Sequence, residues 1–174
     1  MGKKPSVSER QATGRRIAEA LTYLERPHVV VEMDHQRFSA MRDAGMAAVY
    51  GDATSEAVLE AASLSHAKLV LITTPKVDVT STVIEMVLKL NPAVHIVARA
   101  DGPDEVRALT ELGAYEVVQP EYEAALEMMR QGLIHLDLPV ESVNEYADHM
   151  RRQPSRRGHD LASLDKLRSA DPLL

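Results

Sequence analysis

The sequence predicts a doubly wound α/β fold, in which helices cover both faces of a parallel sheet. Short runs that are apolar almost throughout alternate along the chain with segments whose apolar residues recur at helical spacing. This alternation is typical of parallel βαβ units, whose strands are buried on both faces. The five strand candidates are residues 28–32, 47–51, 68–73, 94–99 and 115–119.

The helices between these strands are predicted from apolar residues that lie three or four positions apart. We interpret these side chains as core packing, since an amphipathic helix turns its apolar stripe toward the core. Gly113 is a predicted C-cap, and Pro120 lies near the first turn of a long helix that a second helical stretch follows over residues 140–153. The apolar sets are Ile17, Leu21 and Leu24; Val83, Val87 and Leu90; and Val106, Leu109 and Leu112.

Composition narrows the class of protein. The chain has 174 residues, 45% hydrophobic and 26% charged, with no cysteine, which predicts one globular domain without disulfides or thiolate metal sites. No apolar run approaches the ~20 residues that cross a bilayer and no apolar leader is visible, so a cytoplasmic setting is expected. The net charge of −6 argues against a general nucleic-acid binder. We expect an irregular leader over residues 1–13, the domain over 14–152 and a flexible tail over 153–174.

Ligands of doubly wound sheets bind beyond the carboxyl ends of the strands. The first strand candidate ends at Glu32, and Asp34 follows two residues later. An acid at this place typically accepts hydrogen bonds from the ribose hydroxyls of an adenosine ligand. Glu32 is equally interpretable as a solvated residue at a strand end.

The second strand candidate ends in the segment GDAT, residues 51–54. Gly51 permits close approach of the backbone, and Asp52, Ala53 and Thr54 are candidates to flank an adenine ring. The alternative is that Asp52 or Thr54 caps the helix that starts near Ser55.

The next two strand ends complete the candidate site. Thr73 and Thr74 follow the third strand and form the predicted opposite wall of the crevice. Arg99 ends the fourth strand, where it is a candidate for a phosphate contact, an interface contact or a surface ion pair.

No catalytic or metal-binding motif accompanies these candidates. The seven histidines show no metal-ligand spacing on one predicted helix, and there is no P-loop and no G-x-S-x-G elbow. We therefore predict a protein that is not an enzyme and that holds no metal ion.

Four segments together resemble a known family: VVVEMD, AGMAAVYGDATSEAVLEAASLSHAKLVLITTP, NPAVHIVARA and LGAYEVVQPEYEAALEMMRQGLIHLDLP. They are similar to the RCK or TrkA-N domain, the nucleotide-binding regulator of potassium transport. The GDAT segment and the patterns A-x-L-V-L-I-T-x-P and G-A-x-x-V-V-x-P-E are specific in combination. The final helix pair is most similar to the C-terminal cytoplasmic domain of Kef-type cation:proton antiporters. The resemblance covers roughly residues 14–152.

This resemblance implies a Rossmann-like regulatory domain that senses an adenine nucleotide and gates a transporter of K⁺ or another monovalent cation. It also implies a homodimer at the inner face of the membrane, bound to or fused with that transporter. The apolar stripe of Leu126, Met128, Met129 and Leu133 is interpreted partly as the dimer interface, with core packing as its alternative. A dimerisation scaffold that binds no nucleotide is the alternative function.

The beginning of the chain departs from the family pattern. Gly14 matches the third glycine of G-x-G-x-x-G, but Glu9 and Gln11 replace the first two, and residues 3–9 replace the usual first strand. A truncated domain with a foreign leader, a natural variant and a strand supplied from elsewhere are the three explanations. Because side chains at the two lost glycines would crowd a pyrophosphate, AMP is expected rather than NAD, or no nucleotide at all.

Overall fold

A computed structural model describes residues 12–152, 165 and 167–169. Among these residues, no helix has the length and apolar character needed to cross a membrane. The strands are β1 (Val30–Glu32), β2 (Ala48–Tyr50), β3 (Leu69–Ile72), β4 (His95–Arg99) and β5 (Glu116–Val118). The helices are α1 (Ala12–Tyr23), α2 (His35–Asp43), α3 (Glu56–Ala61), α4 (Val77–Leu90), α5 (Pro103–Glu111), α6 (Pro120–His135) and α7 (Val140–Arg152), with a 3₁₀ turn at Leu64–His66.

The described residues divide into two compact units. Of the described residues, 12–100 and 104–118 form the first unit, and 101–103, 119–152, 165 and 167–169 form the second. All five strands belong to the first unit, whereas α6 and α7 belong to the second.

The strands of the first unit form two parallel sheets. One contains β1 and β2, and the other has the order β3-β4-β5. The five predicted strands and their parallel pairing are thus confirmed, each strand being slightly shorter than predicted. Among the described strands, β1 and β3 each pair on one side only.

The core of the first unit is built from the apolar positions that the sequence singles out, together with the strands. Val87, Ile96 and Leu109 are fully buried in one cluster. Gly113 has a φ of +106° just after α5 and its N–H bonds to the Thr110 carbonyl, as the predicted C-cap requires. The first predicted set differs from expectation: Ile17 and Leu21 are half-buried outside this cluster, and Leu24 lies in the turn after α1 and is exposed.

The second unit is built around the helix pair α6 and α7. The Tyr122 hydroxyl, near the start of α6, donates to the carbonyl of Met150 near the end of α7 at 3.0 Å, so the two helices run antiparallel. Their cluster contains Val143, Tyr146 and Leu167, with Met129 and Leu133 packed against it.

This cluster changes two expectations. Met129 and Leu133, predicted partly as interface, pack inside the second unit, and Leu126 is buried, whereas Met128 is exposed. Leu167 is buried, so the predicted flexible tail over 153–174 contributes to packing at this residue; most of that segment lies outside the described residues.

The predicted leader over residues 1–13 differs from the structure at its end, because α1 begins at Ala12.

Candidate functional site

The candidate residues lie where the sequence predicts, at the carboxyl ends of the parallel strands. Glu32 ends β1 beside Tyr50, the last residue of β2. The N–H of Gly51 donates to the Glu32 carbonyl at 3.1 Å, which places the segment of residues 51–54 next to the end of β1. On the other sheet, Thr73 follows β3 and Arg99 ends the neighbouring strand β4.

The Glu32 side chain is held in a network of charged hydrogen bonds. Oε2 accepts from Nε of Arg37 at 3.0 Å, and Oε1 accepts from Nη2 of Arg37 at 2.9 Å. Oε1 also accepts from the backbone N–H of Asp34 at 2.8 Å. The Glu32 side chain is 16% exposed, and this hydrogen bonding raises the pKa of Arg37. Glu32 is therefore not merely a solvated residue at a strand end.

Asp34 has a structural task of its own. It is the N-cap of α2, and its Oδ1 accepts from the backbone N–H of Arg37 at 2.9 Å. This hydrogen bond lowers the pKa of Asp34, because it stabilises the ionised carboxylate. The cap places the first turn of α2 directly after the end of β1, and thereby brings Arg37 to Glu32.

The segment after β2 forms a closed local turn. Asp52 Oδ1 accepts from the backbone N–H of Thr54 at 2.9 Å and from its hydroxyl at 2.8 Å. Both donors lower the pKa of Asp52. Neither residue caps α3, whose N-cap is Ser55, so the alternative interpretation of Asp52 and Thr54 is wrong. Ala53 packs against the core of the first unit.

Gly14 lies close to the end of β3. A Cβ atom on this residue would come within 2.8 Å of Oγ1 of Thr73. A glycine near the start of α1 thus allows the helix to approach the strand closely, which is the task of the third glycine in a dinucleotide-binding turn. Thr74 turns its hydroxyl toward the N–H of Lys76, at 3.5 Å. Glu9 and Gln11 lie outside the described residues.

The structure adds residues that the sequence reasoning did not select. Arg37 donates two hydrogen bonds to the candidate residue Glu32. The sequence feature that could have identified Arg37 is its position three residues after the N-cap Asp34, in the first turn of α2. Tyr50 also lies at this edge, with His35 at a ring distance of 5.8 Å and Phe38 at 5.5 Å. Among the described residues, no three His, Asp or Glu side chains are grouped so that they could hold a metal ion.

Comparison with known proteins agrees with this geometry. The family model of the TrkA-N domain matches residues 11–120. The protein YbaL of Escherichia coli K12, provisionally assigned as a cation/proton antiporter, is 34% identical over 116 residues. That alignment covers 67% of this chain but only 21% of YbaL, so the chain spans about a fifth of this relative.

Solved structures show the same fold. The crystal structure of the TrkA-N domain of YbaL from E. coli matches with a TM-score of 0.64 and 35% identity, over 66% of this chain and 85% of that one. The Kef C-terminal domain of Shewanella denitrificans in its AMP-bound form matches with a TM-score of 0.70 and 22% identity, over 90% of this chain and 92% of that one. The GsuK channel bound to NAD matches with a TM-score of 0.59 and 20% identity, over 67% of this chain and 21% of that one. The family match over residues 11–120 shows that the chain belongs to the TrkA-N domain family.

Proposed function

We propose that this chain is a regulatory domain that binds an adenine nucleotide and thereby gates a transporter or antiporter of K⁺ or another monovalent cation. The observation that carries the proposal is that the same unit has an acid at the end of β1 and, near the start of α1, a glycine that packs closely against the end of β3. In a doubly wound fold these two positions serve the ribose and the phosphate of a bound nucleotide. Domains of this family occur in the antiporter-like protein YbaL, which supports the transporter as partner.

The residues at the site fit an adenosine monophosphate. Glu32 is the proposed acceptor for ribose, Asp52, Ala53 and Thr54 flank the proposed adenine position, and Thr73 and Thr74 form the wall across from it. Arg99 is the proposed phosphate contact. The ligand of the Kef domain, AMP, supports this choice, whereas the GsuK structures with ADP and NAD support the wider class of adenine nucleotides.

AMP is proposed over NAD because of the residues at the two lost glycines. In the sequence pattern G-x-G-x-x-G, Glu9 and Gln11 replace the two glycines whose bare backbone a pyrophosphate needs, and a carboxylate in the first position disfavours phosphate. Losing one or two charged hydrogen bonds of about 1.5–3 kcal/mol each weakens binding by one to a few orders of magnitude.

Calorimetry with AMP, ADP, ATP and NADH tests the proposal, supported by thermal melts in which a bound ligand raises the midpoint. AMP should bind more tightly than NADH. Glu32→Ala should lose most of the binding, whereas Glu60→Ala, an exposed glutamate on α3, should bind like the parent.

Tighter binding of NADH than of AMP would contradict the proposed pocket, as would unchanged binding by Glu32→Ala. If none of the four nucleotides binds, the proposal is wrong, and the dimerisation scaffold of a transporter is the function to test next.

We further propose that the chain acts as a homodimer at the inner face of the membrane, through its transporter. Two features of the described residues support association: β1 and β3 each pair with a described strand on one side only, and Leu69, Leu71 and Met128 are exposed. Light scattering at micromolar concentration should report a dimer, and a monomer would contradict the proposal.

A further inference from the structure

The carboxylate of Glu32 already has most of its acceptor positions occupied. A carboxylate offers about four such positions, two on each oxygen. Oε1 accepts two hydrogen bonds, from Asp34 N–H and Arg37 Nη2, and Oε2 accepts one, from Arg37 Nε. The hydrogen bonds among the described residues thus leave one position, on Oε2.

We propose that Arg37 is a positioning residue that orients the Glu32 carboxylate and restricts it to a single ribose hydroxyl, accepted at Oε2. This inference rests on the proposed nucleotide-binding function. It differs from simple ribose recognition, in which a carboxylate accepts both the 2′ and the 3′ hydroxyl, one on each oxygen.

The geometry of the pair supports a fixed rather than a fluctuating carboxylate. Arg37 donates through two nitrogens to the two oxygens of Glu32, a bidentate contact that fixes orientation as well as distance. Both residues lie on regular elements, Glu32 at the end of β1 and Arg37 in the first turn of α2. Asp34 joins these elements, since its N–H donates to Glu32 and its Oδ1 accepts from the N–H of Arg37.

Arg37 also reduces the negative charge at this edge of the sheet. Its Nη2 lies 2.9 Å from Oε1 of Glu32 and 3.9 Å from Oδ2 of Asp34, so its guanidinium offsets part of the repulsion that these two carboxylates would exert on AMP. Oε2 remains an acceptor for a neutral hydroxyl.

The test compares AMP with 2′-deoxy-AMP and 3′-deoxy-AMP by calorimetry. In the parent chain, one deoxy analogue should bind about tenfold more weakly than AMP, and the other should bind within about twofold of AMP. Arg37→Met removes both side-chain donors and frees two acceptor positions, so both analogues should then bind more weakly than AMP. Arg42→Met, an exposed arginine on the same helix, should keep the parent pattern.

Thermal melts of each variant establish that it is folded. If Arg37→Met does not fold, Arg37→Lys takes its place. A lysine ammonium cannot reproduce the planar bidentate contact, so the discrimination between the two analogues should again be lost.

The inference fails if both deoxy analogues bind equally weakly to the parent chain. It also fails if the Arg37 variant keeps the parent's preference for one hydroxyl. Either result leaves the proposed function standing, because AMP itself still binds. Absence of binding by AMP, ADP, ATP and NADH overturns both proposals together.

Discussion

Replacing Gly51 by alanine is expected to be strongly destabilising, because the new Cβ atom would lie 2.5 Å from Cγ2 and 3.2 Å from Cγ1 of Val58. Crowding of this kind costs about 1–3 kcal/mol. The φ of Gly51 is +156°, which L-residues rarely adopt, and such strain costs a further ~1–3 kcal/mol. The free energy of unfolding should therefore fall by about 2–6 kcal/mol, the sum of these two costs.

The two contributions can be separated by a second substitution. In Gly51→Ala/Val58→Ala, both Cγ atoms are gone, and the remaining contact with the Cβ of residue 58 is an ordinary 3.5 Å. The loss in unfolding free energy of the double variant should be smaller than the sum of the losses of the two single variants, by the crowding cost of about 1–3 kcal/mol. Gly45→Ala is the control for a positive φ without crowding, since its φ is +77° and no atom lies within 4 Å of an added Cβ.

Urea unfolding followed by circular dichroism measures these differences. Gly45→Ala should lose only the strain contribution and should be less destabilised than Gly51→Ala. Equal losses in the two variants, or no coupling between positions 51 and 58, would refute the steric explanation.

Three further predictions concern single side chains. Thr80 is fully buried, and its hydroxyl has no partner among the described residues, so Thr80→Val should stabilise the fold by about 1 kcal/mol in urea unfolding; a loss would contradict this. Asn91 donates to two backbone carbonyls at 2.9 and 3.0 Å, so Asn91→Ala should lower the unfolding free energy by about 1–3 kcal/mol, and an unchanged value would count against these bonds. Asp52 has a pKa below its ordinary 3.8, so its stabilising effect is present above that pH and is lost as the pH falls through the lowered value. Thr54→Val removes the hydroxyl that donates to Asp52 Oδ1, so the pKa of Asp52 should rise toward 3.8 in a carbon-detected NMR titration. An unmoved pKa of Asp52 would show that the Thr54 hydroxyl contributes nothing.

Part of the candidate site is readable from sequence because its residues occupy fixed places in a repeating unit. Glu32 ends β1, and Gly51 directly follows β2. Both residues lie at the same edge of the sheet because parallel strands align their carboxyl ends. The Arg37–Glu32 contact is different. This contact depends on how α2 is oriented after β1. That orientation follows from the N-cap hydrogen bond of Asp34, a feature of the folded chain.

The sequence by itself determined the five strands, the helices between them and the C-cap at Gly113, since these follow from spacing and from local backbone preferences. Only the tertiary structure decided the division into two sheets and two units and the burial of Leu167. It likewise decided that Met129 and Leu133 pack inside the second unit. The physical reason is that an apolar stripe specifies that a face will be covered but not what covers it. That choice depends on which distant segments meet in space.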